Sequence, residues 1–135
     1  MTGHDGSTAG RRTSAWATGA ARRTWRPLFV AYISPVPTSY APGTAVVPVV
    51  EGEADALAWL RADVIDTLPA TTQAGLDVHA AASTGDAASE LARPADEHRA
   101  DVLVLGAPER RLHQLIGSVP AWMARHAHCP LVIVR

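Results

Sequence analysis

Four short runs constrain this chain more than any other feature in it. They are PLFVAYIS (27–34), LDVHAAA (76–82), DVLVLG (101–106) and PLVIVR (130–135). The first, third and fourth are continuous apolar runs rich in β-formers, the pattern of strands buried on both faces. Helical patterns separate them. STAGRRTSAWATGAARR (7–23) is rich in Ala and Arg, with Ser7 placed as an N-cap and Trp16 and Ala20 on one face. Gly10 and Gly19 weaken that helix. In EGEADALAWLRADVIDTLPATTQ (51–73), Leu57, Leu60, Val64 and Leu68 recur at helical spacing until Pro69 breaks the pattern. TGDAASELARPADEHRA (84–100) carries Asp86 as N-cap and Glu90 in the first turn, but Pro94 inside it predicts a kink or a break. GSVPAWMARHAH (117–128) is the last helix, and the proline-rich 35–50 reads as a loop. Such alternation specifies an α/β domain, a parallel sheet with helices on both faces. In these sheets ligands bind beyond the carboxyl ends of the strands, near the topological switch point. The end of DVLVLG is one such place, and HDGS (4–7) is another if a strand precedes it.

Length and charge narrow the function. A chain of 135 residues forms one domain, taken as 1–135, with a single sizeable core. The formal net charge of -1 argues against a general nucleic-acid or membrane-surface binder. All twelve basic residues are Arg, so no Lys is available as a phosphate-loop cation or Schiff-base nucleophile. Cys129 is the sole cysteine and forms no internal disulfide. No apolar run approaches the roughly 20 residues of a membrane span, and the amino terminus has no signal-peptide core. These features predict a cytoplasmic protein.

The most suggestive stretch runs from Val102 to Trp122. An apolar strand ends at Gly106, a polar loop follows, and Gly117-Ser118 opens a helix. That is the outline of a phosphate cradle, since the first N–H groups of a helix form an anion site. The middle of the loop, however, holds Pro108 and Glu109 where glycine would turn N–H groups inward. Glu109 also places negative charge beside any phosphate, offset only if Arg110 and Arg111 fold inward. Pro120 removes one donor from the first helical turn.

Taken together, DGSTAGRRTSAWA, PLFVAYISP, TGDAASELARPADEHRADVLVLG and IGSVPAWMARHAHCPLVIVR resemble the universal stress protein family over nearly the whole chain. The resemblance implies a Rossmann-like fold with five parallel strands, a homodimer formed through the C-terminal strand, and in some members an ATP or AMP site. It places Asp5 and Ile33 at the adenine and Gly106, Gly117, Ser118 and Val119 at the ribose and phosphate. No metal is implied beyond Mg accompanying ATP. Two departures stand out. The family motif has a second glycine where Glu109 stands, and its loop is two residues longer than the seven between Glu109 and Gly117. These departures count against an intact triphosphate grip, leaving an adenine or AMP-like site.

The family's first strand, central in the sheet, precedes the Asp-Gly-Ser turn, and here only MTGH precedes Asp5. At most a stub is expected. Without it, buried backbone groups on the flanking strands would lack partners. A start assigned too late is the favoured explanation, ahead of a rearranged sheet or a strand supplied by a partner.

Other residues read more blandly. Turn chemistry alone accounts for Asp5. Gly106 need only end a strand, and Ser118 is an N-cap whatever else it does. Among His113, His126, His128 and Cys129, the last two histidines diverge by about 200° if the helix continues, and the metal signal is weak. Arg11, Arg12, Arg22 and Arg23 fit an exposed helix face. The reading is a regulatory module rather than an enzyme, with a degenerate adenine-nucleotide site. The alternatives are a dimeric interaction module that binds no nucleotide, or a weak nucleotide or metal-dependent hydrolase.

Overall fold

The computed structural model describes residues 1–34, 52–66, 68, 75–107 and 118–135. Strand β1 (Thr2–Gly3) leads through a turn to helix α1 (Thr8–Thr24), and β2 (Leu28–Ser34) follows. Helix α2 (Glu53–Leu60) runs on into one π-helical turn (Arg61–Ile65). Then come β3 (Val78–Thr84), α3 (Ala87–Glu97), β4 (Leu103–Gly106), α4 (Val119–His126) and β5 (Leu131–Val134). All strand pairs are parallel, in the order β3-β2-β1-β4-β5. This is a doubly wound sheet whose order reverses between β1 and β4.

The alternation of side chains along each strand divides the core. Leu28 and Val30 of β2 and Val104 of β4 pack with Ala17, Ala21, Leu60 and Val64 of α1 and the α2 region. On the other face, Ala31, Leu103 and Leu105 pack with Leu91 and Ala95 of α3 and Met123 of α4. The helices thus cover both faces, as the strand pattern required.

The stub expected for the first strand is what the structure contains. Thr2 and Gly3 fill the central position, opposite Val30 and Ala31 on one side, and Thr2 stands opposite Val104 on the other. The order is not rearranged, and the middle place belongs to this chain's own residues. Main-chain and side-chain bonds tie the stub down. The Val104 N–H donates to the Met1 carbonyl at 2.9 Å, and the buried Thr2 hydroxyl donates to the Val104 carbonyl at 3.0 Å.

Helix α1 follows its cap signal. The Ser7 side chain accepts from the Gly10 N–H, and the helix stops at Trp25, which takes the left-handed conformation at φ 55°. Its inner face, however, is small and partly polar: Gly10, Thr13, Ser14, Ala17, Thr18 and Ala21. Trp16, which the apolar pattern brings forward, points outward and is 40% exposed. The reason is proximity. A Cβ on Gly106 would lie 3.2 Å from Ala9 Cβ and 3.3 Å from Thr13 Oγ1, so α1 runs too close to β4 to bury bulk.

Helix α3 decides against one of the two outcomes expected at Pro94, the break. It runs without a break through Pro94. The missing N–H costs one helical bond, but Ala88 and Leu91 before the proline and Ala95 after it are buried, and their packing holds both halves in register. The expected N-cap is present, with the Asp86 carboxylate accepting from the Ser89 N–H at 2.9 Å. In the α2 region, Ala56, Leu60 and Val64 are buried and Leu57 and Leu68 are half-buried. The π turn was not signalled by the apolar spacing. The loop over 35–50, Pro69 and the segment 108–117 lie outside the described residues.

Candidate functional site

The carboxyl ends of β1 and β4 part at the order reversal, and two adjoining cavities open there. One, of about 320 Å³, is lined by Asp5, Gly106, Ser118 and Val119 together with Ser7 and Gly10. The other, of about 160 Å³, is lined by Asp5, Ile33, Gly106 and Val119 with Gly3 and Leu91. Five of the six residues singled out in the sequence therefore converge on one crevice. The sixth, Gly117, lies outside the described residues, as do Pro108, Glu109, Arg110, Arg111 and His113. A cavity of about 700 Å³ opens at the opposite, amino-terminal end of the strands, among Met1, Leu28, Phe29 and Val102. It is larger, but its Arg26 and Asp101 side chains pair with one another at 3.0 Å, and it is remote from the strand ends where such sheets hold ligands.

Asp5 shapes its own turn. One carboxylate oxygen accepts from the Ser7 N–H at 3.0 Å and from the Ser7 hydroxyl at 2.6 Å. The same hydroxyl accepts from the Gly10 N–H at 2.9 Å, capping α1. Between them, Gly6 has φ +77°, and a Cβ there would fall 2.9 Å from the Trp59 ring. Both the backbone sign and the contact demand glycine. A Cβ on Gly10 would stand 2.5 Å from the Asp5 carboxylate, so the close approach of α1 to the crevice also needs glycine. The cap-and-turn reading of Asp5 is thus realised, and it leaves the residue exposed at the mouth of the crevice.

At the far wall, Ser118 caps α4, accepting from the Ala121 N–H at 3.4 Å. Pro120 occupies the second helical position and is buried. Of the three first-turn N–H positions, Pro120 has none and that of Ala121 is engaged. The missing donor at Pro120 and the engaged one at Ala121 thin the anion site that a helix start otherwise offers. Gly106 has a packing reason, since α1 lies against it.

The structure adds a residue that the sequence reading passed over. The His4 side chain is fully buried. Its Nδ1 lies 3.0 Å from the Ser14 hydroxyl and its Nε2 lies 2.8 Å from the Asp63 carboxylate. Arg11 donates twice to the same carboxylate, at 2.9 and 3.2 Å. The Arg11 guanidinium draws the Asp63 pKa below the ordinary carboxylate value, with His4 adding to the effect and burial opposing it. Its sequence signal was slight, a histidine opening the HDGS segment directly after the β1 stub.

The histidines near the C-terminus go separate ways. The His126 ring stacks on Trp122, with Nδ1 2.8 Å from the Trp122 carbonyl, whereas His128 Nδ1 is 3.1 Å from Asp96. Among the described residues no group of three His, Cys, Asp or Glu side chains could hold a metal ion. Burial pushes the Cys129 thiol above its usual pKa, which lowers its reactivity. Among the described residues no helix is long and apolar enough to cross a membrane.

A parallel sheet of order 3-2-1-4-5 with a crevice at its reversal defines a Rossmann-like α/β protein. The universal stress protein family matches residues 1–135, and the chain belongs to that family. It resembles a universal stress protein solved in complex with cAMP, with 26% identity over 99% of this chain and 93% of that one and a TM-score of 0.71. The universal stress protein UspA from Lactobacillus plantarum is also 26% identical, over 98% of this chain and 94% of that one, with a TM-score of 0.74. A structure from Archaeoglobus fulgidus in complex with dAMP shares the fold at 18% identity, covering 99% of this chain and 94% of that one, with a TM-score of 0.62. No protein among the curated sequences matches this chain.

Proposed function

We propose that this universal stress protein is a cytoplasmic regulatory module that binds an adenine nucleotide weakly, preferring a monophosphate such as AMP or cAMP to ATP, and catalyses no reaction on it. The observation that carries the reading is the convergence of Asp5, Ile33, Gly106, Ser118 and Val119 on one crevice at the order reversal. Ile33 offers an apolar surface to the base and Asp5 an acceptor for its amino group. Gly106 admits the sugar closely, and Ser118 with the Val119 N–H meets one phosphate. The cAMP complex of a relative that is 26% identical supports the ligand class. The thin donor set at α4 and the Glu109 that replaces a glycine in the loop favour one phosphate over three.

Titration calorimetry on protein freed of co-purified ligand tests this. AMP or cAMP binds in the micromolar to millimolar range, ATP binds no more tightly, and Asp5→Ala weakens whichever binds. Absence of binding by all three at millimolar concentration refutes the reading, and tight, magnesium-dependent ATP binding refutes the monophosphate preference.

A dimer is the second element of the proposal. Among the described residues strand β5 is an edge that pairs on one side, with β4, and its Ile133 is 45% exposed. An apolar edge with unpaired backbone favours strand pairing across a two-fold axis. In that form the module could act through its dimer interface without any nucleotide.

A further inference from the structure

The polar chain Ser14–His4–Asp63–Arg11, buried at Ser14 and His4 and open to solvent at Arg11, draws on three elements. His4 directly follows β1, Ser14 and Arg11 belong to α1, and Asp63 sits in the π turn after α2. A serine, a histidine and an aspartate in sequence invite a nucleophilic reading, but Ser14 is buried on the inner face of α1 and lines neither crevice cavity. What the chain does control is the turn that begins one residue later. The His4 N–H donates to the Ala31 carbonyl at 2.8 Å, and His4 lines the crevice together with its two neighbours, Gly3 and Asp5. The Trp59 ring lies 5.7 Å from the His4 ring, 5.0 Å from Tyr32, and against Gly6 within the same turn. Because β1 has only two residues of ladder, little of the sheet itself fixes where Asp5 stands. Buried polar networks that are fully bonded hold one geometry, and a ligand site needs such support behind its contact residues.

We propose that His4 is the positioning residue of the crevice, holding the Asp5–Ser7 turn in its ligand-ready geometry by bonding at once to Ser14 and to Asp63. This rests on the nucleotide reading for its purpose, but its structural content can be tested without ligand. Three variants serve: His4→Leu, which removes both ring bonds; His4→Gln, which can restore one; and Leu28→Val, a mild core truncation at the other end of β2. Amide hydrogen exchange on the ligand-free protein reads the Ser7 and Gly10 N–H groups, whose acceptors lie in the turn. Exchange at both accelerates about tenfold or more in His4→Leu, the size of one lost polar contact. It recovers in part in His4→Gln and stays near wild type in Leu28→Val, even where the melting temperatures are similar. AMP affinity, measured well below melting, follows the same ranking, and the Trp59 indole resonance shifts with AMP only where the turn is held. If His4→Leu fails to fold, Asp63→Asn and His4→Gln carry the comparison. Unchanged exchange at Ser7 and Gly10 in every variant of the chain overturns the proposal. So does AMP binding that is equal in wild type and His4→Leu. Failure of the wild type to bind AMP or cAMP overturns the nucleotide reading alone, and the exchange result still decides the positioning role.

Discussion

Asp5 shows how one side chain serves two ends. Its carboxylate organises the turn and, through Ser7, the cap of α1, while the residue remains at the mouth of the crevice. The geometry leaves no room beside it. Replacing Gly10 by alanine gains helix propensity of up to about 1 kcal/mol. The new methyl, however, would enter a space 2.5 Å from the Asp5 carboxylate. Overpacking of this kind costs about 1–3 kcal/mol, so Gly10→Ala lowers the melting temperature in circular dichroism despite the better helix former. Asp63 makes a prediction about pH. Its pKa in the folded protein lies below the ordinary value of 3.8, chiefly through the hydrogen bond from Arg11. A carboxyl depressed on folding adds stability that is complete above its unfolded value and is lost as pH falls through the folded one. Denaturant midpoints between about pH 5 and pH 2 therefore fall less steeply in Asp63→Asn than in wild type, and an unchanged slope contradicts the assignment. At this scale the resemblance pointed to Asp5, Ile33, Gly106, Ser118 and Val119, and the structure gathers all five at one crevice. The sequence reading did not locate His4, since the function of that ring depends on Asp63, 59 residues away.

Elements were read best where their signals are local. The caps at Ser7, Asp86 and Ser118 all form, because a cap bond spans only a few residues of chain. Ser118→Ala should cost about 1 kcal/mol through the lost cap and weaken AMP binding in the same calorimetric measurement that tests the crevice. Pro94, a local breaker, does not divide α3, and what keeps the helix whole is its contact with the sheet. Pro94→Ala removes the penalty of a missing interior N–H, so thermal unfolding should show a gain of about 1–3 kcal/mol, less whatever unfolded-state restraint the proline supplied. A loss of stability would mean that the proline ring itself packs usefully. The inner face of α1 was hidden for the opposite reason. Small residues give a weak apolar pattern, yet here they mark a close helix-to-sheet contact.

Across the whole molecule, the dimer proposal has a direct test. Ile133→Lys puts a charge on the exposed apolar side of β5 and should shift sedimentation from dimer toward monomer while the far-ultraviolet spectrum stays native. A wild-type monomer at high concentration, or a variant dimer of unchanged strength, removes β5 as the interface.

The apolar runs and their alternation with helical stretches were enough to specify a parallel sheet covered on both faces, since burial period and strand length are properties of short segments. Strand order was another matter. A two-residue β1 can sit at the centre only because its backbone meets β2 on one side and β4 on the other, and because His4 anchors it to α1 and the π turn. Those partners are distant in the chain, so no local pattern announces them. The sequence by itself determined which segments would form strands and helices, and a family resemblance carried along it pointed to five residues that the structure gathers at one crevice. Only the tertiary structure decided what holds the crevice in place, because that task falls to contacts made across the fold.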